Sequence, residues 1–307
     1  MRVKKVQNGD IIGFICPSGK MDMTSPRITK LEAIIKGMGF DVKYGRSCYG
    51  DNGYLAGTDE ERCNDIQEMF LDKDIKAIIC MKGGYGASRI VDMIDYEIIK
   101  NNPKLFMGFS DITVLLNAFY QKASLPTVHG QVGIFLGRND MDQISLDDFQ
   151  KLLREDFMGR TFHNSDCKTL VGGTARGIIV GGNLSLIANL VGTEYDIDFH
   201  DKIVFIEEVD EDPYRIDRMF AQLRLSGKLN QAKGFIFGHF TNCESTDNTQ
   251  TVEDLINEYF MDLHVPVITH FASGHQFPFL NIPIGLEAEI NADICEIKIL
   301  GELYEKN

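Results

Sequence analysis

The sequence predicts an α/β protein in two parts: a parallel sheet covered on both faces in the first half, and a mixed α+β arrangement in the second. Three observations carry this. The strands of the first half are continuous apolar runs rather than alternating ones, the pattern of strands buried on both faces. Segments of helical periodicity separate them, as crossover connections require. The length, 307 residues, exceeds what one compact core usually holds, so two domains are expected. They are read at 1–160 and 175–307, with a linker at about 161–174 in the polar, glycine-rich stretch Thr161–Gly177.

The elements follow in order. Asp10–Cys16 (DIIGFIC) reads as a buried strand, and Thr24–Met38 as a helix with Ile28, Leu31, Ile34 and Ile35 on one face. Asp41–Tyr44 is a short strand. Thr58 and Glu61 make a capping box that opens a helix to about Leu71. Ile75–Met81 is a continuous apolar strand, followed by the loop Lys82-Gly83-Gly84-Tyr85-Gly86 and a helix over Ala87–Ile94. Leu105–Phe109 is a strand and Ile112–Tyr120 a helix. In the second half, helices are expected at Gly182–Leu190, Tyr214–Leu225 and Leu255–Met261, and strands at Lys202–Glu208, Gly234–Phe240 and Val265–His270. Leu286–Leu300 alternates around Asn291-Ala292-Asp293 and reads as a β-hairpin.

Composition excludes several classes. With 31 Lys+Arg against 45 Asp+Glu the formal charge is −14, which repels phosphate backbones. No apolar run is long enough for a membrane helix or a secretory signal. The seven cysteines (16, 48, 63, 80, 167, 243, 295) are odd in number and form no C-x-x-C pair, which fits free thiols in a reducing, cytoplasmic compartment. The seven histidines do not cluster with acids at metal-ligand spacing, so no metal site is expected.

Three places could carry chemistry. Ser110, in Gly108-Phe-Ser-Asp-Ile-Thr113, falls where a buried strand ends and a helix begins. A nucleophile there would have the Asp111 N–H beside it for a developing oxyanion; on this segment alone a plain helix N-cap is the better account of the serine. Ile112 breaks the full G-x-S-x-G pattern. The loop Lys82–Gly86 reads either as a tight turn or as a glycine cradle for an anion; with Ser110 it lies at strand carboxyl ends, where open parallel sheets bind ligands. In the second half, Glu207 and Glu208 end an apolar strand, either as a surface marker or as an orienting carboxylate, and His275 stands in a loop after a strand. Arg215, Asp217, Arg218 and Arg224 read as solvated or ion-paired helix positions. The order Ser110…Glu207…His275 suits a triad in which histidine takes the serine proton and the acid fixes its tautomer.

These segments resemble the LD-carboxypeptidases, a serine peptidase family that includes muramoyltetrapeptide carboxypeptidases and microcin-immunity peptidases. The matching stretches are Gly53–Arg62 (GYLAGTDEER), Lys82–Gly86, Gly108–Thr113, Gly181-Gly-Asn-Leu-Ser185, Phe205–Glu208, Pro213–Arg218, and Gly274-His275 before Pro283-Ile-Gly285. The resemblance implies a flavodoxin-like N-terminal domain, a mixed C-terminal domain and a site between them. It implies a triad of Ser110, Glu207 and His275, with an oxyanion hole from the N–H groups of Asp111 and Gly84. It implies hydrolysis of an L,D-peptide bond that releases D-alanine from murein tetrapeptides in peptidoglycan recycling. The alternatives are a microcin-immunity-type peptidase acting on a peptide–nucleotide conjugate and a non-catalytic small-anion-binding protein. Two positions depart from the family pattern: Lys82 stands where Arg is frequent, keeping the charge but losing the bidentate fork, and Gln276 stands where Gly is frequent. No cofactor, no nucleic-acid or membrane partner, a small peptide substrate and a homodimer complete the expectations.

Overall fold

The computed structural model describes residues 1–244 and 250–305. The chain divides into two compact units: Met1–Asp156 with Leu280–Pro283 and the chain from Glu302, and Phe157–Phe279 with Ile284–Gly301.

Among the described residues, the first unit is built on a six-stranded sheet. Its strands are β1 (Ile11–Ile15), β2 (Asp41–Tyr44), β3 (Ile75–Cys80), β4 (Leu105–Gly108), β5 (Thr127–His129) and β12 (Ile282–Ile284), in the order β12-β5-β4-β3-β1-β2. The pairs β2·β1, β1·β3, β3·β4 and β4·β5 are parallel. The order 2-1-3-4-5 is that of a flavodoxin-like doubly wound sheet, whose ligands bind beyond the carboxyl ends where strand order reverses, here between β1 and β3. Its helices are α1 (Pro26–Gly37), α2 (Asp59–Leu71), α3 (Tyr96–Asn101), α4 (Thr113–Ala123), α5 (Gly133–Leu136) and α6 (Gln143–Arg154).

Local sequence explains the starts. Ser25 caps α1 ahead of Pro26 at its first position. The Thr58/Glu61 capping box is formed in both directions, Thr58 N to Glu61 Oε2 at 2.7 Å and Glu61 N to Thr58 Oγ1 at 3.2 Å. The helix expected over Ala87–Ile94 is only a short 3₁₀ turn, Ala87–Arg89. There side chains compete for backbone groups: the Ala87 N–H goes to Asp111 and the Val91 carbonyl to Tyr96 OH. The next true helix starts at its own cap, Asp95.

The second unit carries eight strands among the described residues: β6 (Thr161–Phe162), β7 (Lys168–Val171), β8 (Thr174–Asn183), β9 (Lys202–Val209), β10 (Gly234–Thr241), β11 (Val267–Thr269), β13 (Glu287–Asn291) and β14 (Glu296–Ile299). The order is β6-β14-β13-β8-β9-β10-β11-β7. The central run β8-β9-β10-β11 is parallel and antiparallel strands flank it, so the sheet is mixed. Helices α7 (Leu184–Leu190), α8 (Pro213–Leu225) and α9 (Val252–Phe260) complete the unit. The hairpin read around Asn291-Ala292-Asp293 is β13 and β14. The stretch 161–174, read as a linker, holds β6 and β7, the two edge strands of this sheet. Their polar sequence reflects exposed faces at a sheet margin.

Candidate active site

In the first unit three loops converge at the carboxyl ends of β1, β3 and β4. Ser110 follows β4 with φ 63°, a left-handed backbone that costs a non-glycine residue about 1–3 kcal/mol and recurs at functional turns. The turn is tight on its strand side: a Cβ on Gly108 would lie 2.8 Å from Ile112 Cγ2. Ile112, which breaks the G-x-S-x-G pattern, thus packs where only glycine leaves room. Gly83 is pressed against the serine, since a Cβ there would lie 2.9 Å from Ser110 Cβ and 3.1 Å from its Oγ. Among the described residues, neither the Gly84 nor the Asp111 N–H makes a backbone–backbone hydrogen bond outside helices and strands.

Two buried charged side chains tie these loops together. The Asp111 carboxylate accepts from Ser18 Oγ at 2.5 Å and from Ala87 N at 2.8 Å. Burial pushes its carboxyl up, while these two hydrogen bonds and Arg62 work against the shift. Arg62 is fully buried. Its Nη1 donates to the carbonyls of Pro17 at 2.5 Å and Gly86 at 2.9 Å, and its Nη2 pairs with Asp59. The loop after β1 and the glycine loop after β3 are therefore held by one guanidinium. Sequence reading assigned no role to Ser18, Arg62 or the Asp111 side chain. The signal available was the run Gly53–Arg62, whose last residue is the clamp.

In the second unit, Glu207 and Glu208 lie near the end of β9. Successive strand residues face opposite sides, and the two acids have different partners. Fully buried Glu207 holds His275: Oε2 lies 2.7 Å from Nδ1. Glu208 accepts from Asn183 Nδ2 (2.8 Å), Ser185 N (2.8 Å), Ser185 Oγ (2.7 Å) and Val209 N (2.9 Å). It pins the start of α7 and so accounts for the Gly181–Ser185 stretch. Burial raises its carboxyl, and the neighbouring Glu207 charge adds to that. For His275, burial favours the neutral ring, but the charge and hydrogen bond of Glu207, with Glu208 and Asp210 beyond, outweigh it and raise the pKa.

The His275 loop is closely fitted. Gly274 has φ 137°, and a Cβ there would stand 3.0 Å from His239 Cβ and 3.2 Å from Glu207 Oε2. His239 donates its backbone N–H to the Ser273 carbonyl at 2.8 Å; burial pushes its imidazole down to about 4, so it is neutral at pH 7. His239 and Gln276 border a cavity of about 750 Å³ within this unit. The α8 cations are surface groups as expected: Arg215 faces Glu211 at 3.5 Å and Arg224 lies over the Tyr259 ring. Among the described residues no three His, Cys, Asp or Glu form a metal-binding group, and no helix is long and apolar enough to cross a membrane.

Comparison with known proteins gives a consistent picture. Residues 12–130 match the LD-carboxypeptidase N-terminal domain and residues 176–290 the LD-carboxypeptidase C-terminal domain. A probable murein peptide carboxypeptidase of Bacillus subtilis (strain 168) is 36% identical over 291 residues, 94% of this chain and 91% of that protein. The murein tetrapeptide carboxypeptidase of Pseudomonas aeruginosa is 32% identical over 260 residues, 80% of this chain and 83% of that one. Among solved structures, the microcin C7 self-immunity protein MccF superposes with a TM-score of 0.93 at 24% identity, covering 99% of this chain and 100% of that one, which establishes likeness of fold.

Proposed function

The chain belongs to the LD-carboxypeptidase family, and from that premise we propose that it is a serine carboxypeptidase that removes D-alanine from murein tetrapeptides. The observation that carries the reading is the Glu207–His275 pair. A fully buried carboxylate on Nδ1 fixes the tautomer that leaves Nε2 as the base.

In this mechanism His275 Nε2 takes the Ser110 proton as Oγ attacks the carbonyl of the L-to-D bond. The Asp111 and Gly84 N–H groups receive the oxyanion, which is typically worth a hundredfold or more per donor. Collapse of the tetrahedral intermediate breaks the C–N bond, and the imidazolium gives its proton to the leaving amine. Water, deprotonated by His275, then hydrolyses the Ser110 ester. Ser110 is carried by the first unit and Glu207 and His275 by the second, so the reading requires Ser110 Oγ to come within hydrogen-bond reach of Nε2 in the substrate complex.

The test is D-alanine release from a murein tetrapeptide by the wild type and by Ser110→Ala. Abolished turnover with an unchanged melting temperature supports the nucleophile; undiminished release overturns it. MccF, which shares this fold, has been solved with aspartyl sulfamoyl adenosine; the second reading is cleavage of a peptide–nucleotide conjugate, and such a conjugate assayed in parallel decides between them. The carboxypeptidase reading brings with it a cytoplasmic location, a place in peptidoglycan recycling and a homodimer. Light scattering tests the last of these.

A further inference from the structure

A carboxypeptidase must recognise the free carboxylate of its last residue, which lies about one residue, ~3.8 Å, beyond the scissile bond. At a net charge of −14 the whole-molecule field repels that carboxylate, so a local cation has to supply the attraction. Several cations stand on the loops around Ser110 in the first unit, and most are committed. Lys20 pairs with Asp51 at 2.9 Å. Arg62 is buried on two carbonyls and Asp59. Arg89 takes both oxygens of Asp59, Nε to Oδ1 at 2.9 Å and Nη2 to Oδ2 at 2.6 Å. Lys82 is different: among the described residues its ammonium has no acidic partner, only a long 3.4 Å contact with the Lys20 carbonyl.

The place of Lys82 is specific. It opens the glycine loop, two residues before Gly84, and its stem is folded against the loop backbone. Lys82 Cε lies 3.5 Å from where a Cβ on Gly19 would stand and 3.8 Å from one on Gly84. With Gly19, Gly84, Tyr54 and Tyr85 it lines an open cavity of about 560 Å³. The two tyrosines are 64% and 51% exposed, with ring centroids 5.6 Å apart in an edge-to-face pair. Exposed aromatics beside a free cation make a surface suited to a small apolar group next to a negative charge.

We propose that Lys82, with Tyr54 and Tyr85, forms the subsite for the leaving residue, Lys82 binding its terminal carboxylate and the tyrosines its small side chain. This rests on the carboxypeptidase reading above and adds to it the group that makes the enzyme an exopeptidase. Lys82 is here a specificity determinant, outside the proton-transfer chain.

The experiment compares a tetrapeptide ending in free D-alanine with the same peptide ending in D-alanine amide, using kcat/KM for the wild type, Lys82→Met and Lys82→Arg. The expected result is a wild-type preference for the carboxylate that falls by about 10- to 100-fold in Lys82→Met, the scale of a lost charge-assisted hydrogen bond, and recovers in Lys82→Arg. A preference that persists in Lys82→Met, in protein that melts like the wild type, overturns the subsite and leaves the peptidase reading standing. A wild type that cleaves the last residue from neither peptide, releasing no D-alanine from one and no D-alanine amide from the other, overturns the peptidase reading and the subsite with it. Calorimetry of both peptides on Ser110→Ala reads the same preference as binding; equal affinity for carboxylate and amide counts against Lys82.

Discussion

Oε2 of Glu207 lies 2.7 Å from Nδ1 of His275, with the carboxylate fully buried and the histidine side chain 14% exposed. Replacing Glu207 by Gln keeps the shape, removes the charge and can present a donor to Nδ1. The turnover number is expected to fall by roughly a hundred- to ten-thousandfold, as when a triad acid is neutralised.

The same pair predicts a pH dependence. The raised His275 pKa places the acidic limb of kcat/KM above the ordinary histidine value of 6.5, because the neutral imidazole is the base. In Glu207→Gln that limb moves to lower pH. For stability the sign is opposite. A histidine whose folded pKa is raised stabilises the fold fully below its unfolded pKa, and the contribution is lost as pH rises through the folded value. Melting temperatures across pH 5 to 9 for the wild type and His275→Ala measure this difference.

Glu208 carries structure rather than chemistry. Glu208→Ala leaves the Asn183 amide, the Ser185 N–H and hydroxyl and the Val209 N–H without their acceptor. A loss of about 3 kcal/mol is expected, read as a lowered urea midpoint with an unchanged slope. Glu207→Gln should cost less stability and far more activity.

Arg62→Met tests the clamp between loops. The Pro17 and Gly86 carbonyls lose their donor in a buried place, which should cost about 2–4 kcal/mol. The glycine loop it holds carries Gly84, so kcat should fall at least tenfold with KM little changed. Urea unfolding and steady-state kinetics on the same preparation separate the two effects.

Much of this was legible in the chain itself. Continuous apolar strands such as Ile75–Cys80 announced a sheet buried on both faces, and Thr58 with Glu61 announced a helix start, because both signals are local. The segments carrying Ser110, Glu207 and His275 could be picked out by their residue types and order. Other features were not legible. Helix α6 went unread although its buried Phe149, Leu152 and Leu153 hold its core face. Edge strands β6 and β7 looked like a linker because a sheet margin is polar. The Ala87–Ile94 helix failed because Asp111 and Tyr96 claim its backbone groups from outside the segment.

The sequence by itself determined the fold class, the family and a short list of candidate side chains, since periodicity, caps and motif spacing are written along the chain. Only the tertiary structure decided that Glu208 turns to the start of α7, that Arg62 locks the glycine loop, and that Lys82 is left without an acidic partner among the described residues. Each of these is a pairing between residues distant in sequence, and burial, which sets what a charge must find as a partner, exists only once the chain has folded.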